Sequence, residues 1–81
     1  MDMRTLTLYH REGCHLCEQM AQVLASLATE LRFEVTRVDI DADPALRERF
    51  NEKIPVLMVE DDVVCCHFLD EKALRQALTD G

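Results

Sequence analysis

The feature that most constrains the fold of this chain is a pair of cysteines, Cys14 and Cys17, between a strand-like run and a periodic helix. Just before the pair, Leu6 and Leu8 alternate with polar residues, as in a short half-buried strand. A cysteine at a strand end and in the first turn of a helix meets free N–H groups and the positive end of the helix dipole, which favour thiolate over thiol. The second cysteine lies one turn further on, close enough to form a disulfide. The pattern therefore predicts a dithiol redox site.

The composition narrows the class of protein. The 81 residues fit one domain, residues 1–81, with a modest core. Sixteen acidic against nine basic residues give a net charge of −7, which argues against nucleic acid or a membrane surface as partner. The sequence contains no transmembrane run or signal peptide, so we expect a cytoplasmic protein, and a monomer. Four cysteines in a reducing compartment suggest redox or metal chemistry before structural disulfides.

The segment after the cysteines has the pattern of an amphipathic helix. We predict that it begins at Cys14 or His15 and ends near Thr29, after a strand over Thr5–Tyr9. Its apolar residues recur at spacings of three and four and are Leu16, Met20, Val23, Leu24, Leu27 and Leu31. One face of this helix should therefore pack on the core.

The next segment predicts a strand followed by a short helix. Residues 33–40 are rich in β-branched side chains, as expected for a strand. Asp43 and Pro44 then form a helix start, with aspartate as N-cap and proline at the first helical position. This second helix is expected to end near Asn51.

The last third of the chain predicts two strands and a helix. Residues 56–59 are continuously apolar, as in a buried strand, and an acidic turn leads to a fourth strand over residues 63–66. Asp70 caps a final helix. The order β-α-β-α-β-β-α predicts an α/β fold in which a right-handed βαβ unit is extended by an antiparallel hairpin, with helices on both faces.

These features resemble small bacterial glutaredoxin-like proteins of the thioredoxin-fold superfamily over essentially the whole chain. The resemblance rests on Leu8–Cys17 (LYHREGCHLC), on the element order and on Ile54-Pro55-Val56. It implies a four-stranded mixed sheet in the order 2-1-3-4, with the dithiol at the C-terminal end of the first strand. It also implies a cis peptide bond before Pro55, which would face the active site, and a disulfide oxidoreductase activity in cell redox homeostasis.

The chain departs from glutathione-using members of that family after the fourth strand. These usually have a Gly-Gly pair and an acidic residue there, whereas residues 63–70 contain no glycine and only Asp70 offers a carboxylate. Glu12 also stands where such proteins usually have proline. These departures argue against the usual glutathione site. We therefore expect no bound cofactor, with glutathione kept as an alternative.

Each residue around the dithiol has a predicted role and an alternative. Cys14 is the candidate nucleophile and Cys17 the resolving thiol, because only a thiolate attacks a disulfide. Arg11 adds a positive charge nearby, and His15, when protonated, stabilises the thiolate and makes the disulfide more oxidising. The alternatives are two inert cysteines at a helix start and a solvated histidine.

Three further residues are candidates for substrate binding. Pro55 would shape the groove that receives a substrate backbone, and Ile54 would pair with an extended substrate peptide. Tyr9 ends the first strand and could line the same groove. The alternatives are a proline that merely starts a strand and a tyrosine packed on the sheet.

No metal site is assigned. Cys65 and Cys66 are adjacent in a strand, so their side chains point to opposite faces, one buried and inert and the other exposed at the sheet edge. A second redox or metal site with His67 is the less favoured alternative. The acidic cluster after the second strand is assigned to strand-end and capping roles and consists of Asp39, Asp41 and Asp43.

The sequence favours a thiol–disulfide oxidoreductase over two alternatives. It would act on protein or low-molecular-weight disulfides through Cys14 and Cys17, with electrons from an external thiol reductant. A metal or iron–sulfur carrier would use the same cysteines as ligands, shared across two copies. A partner-binding module would keep the fold and lose turnover.

Overall fold

A computed structural model describes residues 4–79. The elements in chain order are β1 (Arg4–His10), α1 (His15–Leu31), β2 (Phe33–Asp39), a short 3-10 helix (Ile40–Ala42), α2 (Pro44–Phe50), β3 (Val56–Val59), β4 (Asp62–Cys66) and α3 (Glu71–Thr79). The sheet order is β2-β1-β3-β4. β1 pairs parallel with β2 and antiparallel with β3, and β3 pairs antiparallel with β4. The predicted α/β order and the 2-1-3-4 sheet are confirmed.

Strand alternation divides the core into two layers. On β1, Leu6 and Leu8 face the layer that includes Leu24 of α1 and Leu74 of α3, and all four side chains are fully buried. On β3, alternate residues face the other layer, where Phe50 of α2 closes the core. Helices therefore cover both faces of the sheet, as predicted. Within residues 4–79, no helix is both long and apolar enough to cross a membrane.

Local hydrogen bonds account for most helix boundaries. The carboxylates of Asp43 and Asp70 accept from Ala45 N at 2.9 Å and from Ala73 N at 3.0 Å, so both predicted caps are present. α1 runs to Leu31, beyond the predicted end at Thr29. It ends because Arg32 adopts a left-handed conformation (φ 58°) and donates its N–H to Ala28 O.

The strand ends differ from the predictions by one residue. β1 has an additional paired residue at each end of the predicted Thr5–Tyr9, and β4 begins at Asp62. The predicted strand over residues 33–40 ends at Asp39, because Asp39 accepts from Asp41 N at 2.9 Å and starts a 3-10 helix. These shifts leave the order and the core-facing residues unchanged.

A register shift in the β3–β4 pair was not predicted. Leu57 pairs with Cys65 but Met58 pairs with Val63, so Val64 is the extra residue of a β-bulge. Val64 and Cys65 consequently both pack on the α1 and α3 side of the sheet. A tight turn leads into this strand, with Glu60 at φ 56°.

The prediction for the two adjacent cysteines is half right. Cys65 packs against the α1 and α3 layer and Cys66 against the α2 layer, so they do face opposite sides. The expectation of one buried and one exposed side chain is wrong, since both are half-buried free thiols. The reason is that β4 is an edge strand, where each face is only partly covered.

Candidate active site

The dithiol lies in the turn between β1 and α1. Gly13 adopts φ 81°, a conformation that glycine takes readily, and Cys14 N–H donates to Arg11 O at 3.2 Å to close the turn. Cys14 and Cys17 form a disulfide with a Cα–Cα distance of 5.2 Å. The turn therefore places Cys14 one helical turn before Cys17, close enough for the two sulfurs to form a bond.

The two cysteines differ in access. Cys14 is the N-cap of α1, is partly exposed, and its Sγ accepts from Cys17 N at 3.1 Å. Cys17 has no exposed surface. An attacking sulfur must be reached by the substrate, whereas a resolving sulfur needs only to reach its partner. The geometry therefore fits the predicted roles, with Cys14 outside and Cys17 inside.

The helix that follows supplies the electrostatic setting. Cys14 O accepts from Glu18 N at 3.1 Å in the first turn of α1, while the Cys17 N–H is directed to sulfur. A thiolate formed at this Cys14 position on reduction would face a backbone N–H and the positive end of a 17-residue helix. His15, the first helical residue, is exposed between the cysteines.

The guanidinium of Arg11 is held by two side chains from outside the dithiol turn. Its Nε donates to Asp41 Oδ2 at 2.9 Å and a terminal nitrogen donates to Asn51 Oδ1 at 2.6 Å. The Asp41 carboxylate thus pairs with the guanidinium whose charge was expected to act on Cys14. Arg11 therefore ties the active-site turn to the segment around α2, and its predicted substrate contact stays a prediction.

The Ile54–Pro55 peptide bond is cis, as the family resemblance implied. Val56 pairs with Tyr9 at the end of β1, so Pro55 lies at the same end of the sheet as the dithiol turn. Pro55 is buried and Ile54 half-buried against the α2 layer. The structure brings both to the dithiol end, and their binding of a substrate backbone stays a prediction.

Tyr9 packs against Phe50 of α2, and its predicted place in a substrate groove stays a prediction. Its ring stacks on Phe50 with centroids 4.6 Å apart and an interplanar angle of 28°. The side chain belongs to the α2 layer and is half-buried. This stacking joins α2 to the end of β1.

Cys65 and Cys66 lie on opposite faces of β4. Burial raises the pKa of the Cys65 thiol above its ordinary value. A hydrogen bond from the Asp70 backbone lowers this pKa, but by less than burial raises it, and the negative charge of Asp70 raises it further. Cys66 faces the other side of β4. Across the described residues, 4–79, no three His, Cys, Asp or Glu side chains are grouped as metal ligands.

His67 has a structural role that the sequence did not predict, since there it entered only an alternative redox or metal site. Its ring Nε2 lies 2.8 Å from Glu52 O, and its backbone N–H donates to Pro55 O at 2.8 Å. Through these two contacts, His67 connects the loop that contains the cis-proline to the end of β4. The absence of glycine after β4 was noted in the sequence, but the left-handed conformation of His67 (φ 66°) was not foreseeable from it.

A groove of about 250 Å³ lies next to the first turns of α1, with Leu16, the residue between the two cysteines, in its lining. The lining residues come from α1 and from the loop between β4 and α3, and are Leu16, Gln19, Met20, Val23, His67, Phe68 and Leu69. A larger cavity of about 730 Å³ lies near the start of β1 and the β3–β4 turn, with Arg4, Glu60 and Asp62 in its lining. That cavity is at the other end of the sheet from the cysteines, whereas the smaller groove includes Leu16 from the segment between them.

Comparisons with known proteins agree with this geometry. The glutaredoxin-like domain (DUF836) matches residues 5–79. The uncharacterized protein Rv0508 of Mycobacterium tuberculosis is 31% identical over 80 residues, which cover 93% of this chain and 82% of that protein. The solution structure of Ne2328 from Nitrosomonas europaea is 38% identical, with a TM-score of 0.86 and coverage of 95% of this chain and 93% of that one.

Two further structures extend the comparison. The crystal structure of XcR50 from Xanthomonas campestris is 32% identical, with a TM-score of 0.75 and coverage of 94% of this chain and 97% of that one. Thioredoxin from Fasciola hepatica is 20% identical with a TM-score of 0.65, covering 96% of this chain and 80% of that one, which shows a shared fold alone. With its paired Cys14 and Cys17 supporting a redox-type role, the chain belongs to the glutaredoxin-like domain family of the thioredoxin fold.

Proposed function

We propose that this protein is a thiol–disulfide oxidoreductase that works through Cys14 and Cys17. The observation that carries the proposal is the asymmetry of the pair, in which the helix-capping Cys14 is accessible and Cys17 is fully buried. A disulfide with a purely stabilising role has no need of one accessible sulfur at a helix start. A catalytic pair needs it, because one sulfur must meet the substrate.

The reaction is a two-step exchange. The Cys14 thiolate attacks one sulfur of a substrate disulfide, forming a mixed disulfide and releasing the first substrate thiolate, which takes a proton from water. The Cys17 sulfur then attacks the Cys14 sulfur and releases the second substrate thiolate, which takes up the proton that the Cys17 thiol gives up. The substrate gains two electrons and two protons, and the dithiol becomes a disulfide.

The proposal includes the conditions of turnover. An external thiol reductant returns the Cys14–Cys17 disulfide to the dithiol, and no resident cofactor takes part. The substrate is a disulfide-containing protein or the disulfide of a low-molecular-weight thiol. We propose that the protein acts as a monomer in the cytoplasm, where the reductant keeps it reduced and it contributes to cell redox homeostasis.

The test begins with the redox potential of the pair. The protein is equilibrated in graded glutathione and dithiothreitol buffers, alkylated and analysed by mass spectrometry at Cys14 and Cys17. We expect a reversible two-electron transition between roughly −200 and −270 mV, the range of glutaredoxins and thioredoxin. No reversible transition at this pair would remove the proposal.

Variants then assign the roles. Cys14→Ser should abolish reduction of disulfides, and Cys17→Ser should accumulate a mixed disulfide on Cys14, because the resolving attack is missing. Cys66→Ser is the matched control, since Cys66 is a free thiol at the same end of the sheet. Activity retained by Cys14→Ser and lost by Cys66→Ser would move the chemistry to β4 and contradict the proposal.

A further inference from the structure

The groove borders the start of α1, the helix that follows Cys14 and contains Cys17. Leu16, which lies between Cys14 and Cys17 in the sequence, forms part of its α1 wall together with Met20 and Val23. The facing wall is formed by Phe68 and the two residues that flank it. A substrate with its disulfide at Cys14 would therefore extend its neighbouring residues into this groove.

The facing wall presents a large apolar side chain to water. Phe68 is 69% exposed, the highest value among the large hydrophobic residues exposed in the described part of the chain. An exposed aromatic ring beside a reactive group is a recognised mark of a binding surface, because aromatic anchors dominate binding energy where they become buried. Phe68 thus offers apolar area that the fold itself leaves uncovered.

The turn that carries Phe68 is fixed by hydrogen bonds. Phe68 N–H donates to Cys66 O at 2.7 Å around His67, which holds a positive φ of 66°. His67 N–H donates to Pro55 O, and its ring Nε2 lies 2.8 Å from Glu52 O. The aromatic side chain is therefore held by a turn joined to the cis-proline segment, and little ordering of that turn remains to be done when a ligand binds.

The charge of the groove selects against anionic ligands. Of the described residues that line it, none carries a carboxylate, an ammonium or a guanidinium group, and the only titratable side chain is His67. The chain as a whole has a net charge of −7. Glutathione has two carboxylates, which would find no cation in this lining and a repulsive overall field. An apolar side chain carries no charge, so it needs no cation in the lining and is not repelled by the overall field.

We propose that the groove is the docking site for a disulfide-bonded polypeptide in which an apolar side chain adjoins the reacting cysteine. Phe68 is the residue that sets this preference. The proposal rests on the oxidoreductase function above and specifies its substrate class. The apolar neighbour of the substrate cysteine packs against Phe68 and Leu16, while the substrate sulfur reaches Cys14.

The test measures a specificity ratio on defined substrates. Two peptides of equal length and charge each contain one intramolecular disulfide, with leucine next to the reacting cysteine in one and serine in the other. The fully reduced protein is mixed with each peptide, quenched with acid and alkylated, and kcat/KM is obtained for both, with glutathione disulfide as a third substrate. A ratio between peptides cancels any general loss of reactivity in a variant.

We expect the wild type to prefer the leucine peptide roughly tenfold over the serine peptide, the size expected for burying a few methylene groups. Glutathione disulfide should be slower than the leucine peptide. Phe68→Ala should bring the leucine-to-serine ratio close to one. Val63→Ala is the matched control, because Val63 is 50% exposed in the hairpin at the other end of the sheet, and it should keep the wild-type ratio.

The outcomes separate the two proposals. If the wild type reduces none of the three substrates, the oxidoreductase function fails. If it reduces both peptides equally, reduces glutathione disulfide as fast as the leucine peptide, or keeps its preference in Phe68→Ala, the oxidoreductase function stands and the docking proposal is overturned. The Cys14–Cys17 redox potential of Phe68→Ala, measured in parallel, checks that the variant retains a folded active site.

Discussion

Reduction of the Cys14–Cys17 disulfide should lower the stability of this protein only slightly. A redox couple must stay folded in both states, so the free energy of unfolding of the two forms separates a catalytic disulfide from a structural one. The loop that the disulfide closes is short, with a sequence separation of 3. The chain-entropy relation gives about 2 kcal/mol for such a loop.

A second effect opposes the loop entropy. In the reduced protein, a Cys14 thiolate is stabilised by the start of α1, which contributes roughly 0.3–1 kcal/mol at an exposed site. Reduction should therefore cost between about 1 and 2 kcal/mol. A domain of this size has a total stability of roughly 4–12 kcal/mol, and both core layers are built from residues outside the loop. The reduced form should consequently remain folded.

Urea denaturation followed by far-UV circular dichroism measures the difference. The oxidised protein and the protein reduced with a phosphine are compared, and the Cys14→Ser/Cys17→Ser double variant serves as a control that the reductant should not affect. By linkage, a difference of about 2 kcal/mol makes the folded pair roughly 40 mV more reducing than the unfolded pair. A stability loss above about 4 kcal/mol on reduction would identify a structural disulfide and refute the reasoning.

Three other perturbations test the core, the second thiol and the turn. Leu24→Ala, at a fully buried position, should lower the free energy of unfolding by about 3 kcal/mol and Tm by roughly 15–20 °C in thermal denaturation. The control Val23→Ala, at a neighbouring position that is 44% exposed, should cost under about 1 kcal/mol. Equal losses of stability in the two variants would contradict the assigned packing. Burial raises the pKa of the Cys65 thiol. Alkylation of Cys65 should therefore be slower at pH 7 than alkylation of an unfolded peptide thiol, and should accelerate only at higher alkaline pH. An equal rate at pH 7 would contradict the assigned burial. Since the unfolded thiol ionises first, the same raised pKa should make the protein lose stability as pH rises above the ordinary thiol range, a loss that Cys65→Ala should reduce. Arg11→Ala breaks the contacts to Asp41 and Asn51 and should cost about 1 kcal/mol in urea denaturation; no change would mean that the turn is held by its backbone bonds alone.

Local sequence patterns predicted the helices and strands because each pattern involves only a few neighbouring residues. The N-caps at Asp43 and Asp70 need only a side chain that reaches a backbone N–H two or three residues on. The position of the dithiol follows likewise from a strand ending before Cys14 and a helix beginning after it. The cis bond before Pro55 was implied by the family resemblance, since local sequence leaves the trans form favoured.

Features that depend on pairing between distant segments were missed. The bulge at Val64 is a property of the β3–β4 register, and no residue of β4 alone encodes it. The half-burial of Cys66 follows from the edge position of β4 in the sheet. The role of His67 depends on Glu52, which is separated from it by 15 residues. Sequence patterns report local conformation well, and these three features are set by tertiary contacts.

The bulge in β4 also affects how the protein behaves in a crowded solution. A regular edge strand exposes a row of unpaired N–H and C=O groups, on which another chain can extend the sheet and start an aggregate. The extra residue at Val64 breaks that row and twists the strand, and the hairpin turn before it is acidic at Glu60, Asp61 and Asp62. The same irregularity that brings Val64 and Cys65 onto one face thus makes this edge a poor template on which another strand could extend the sheet.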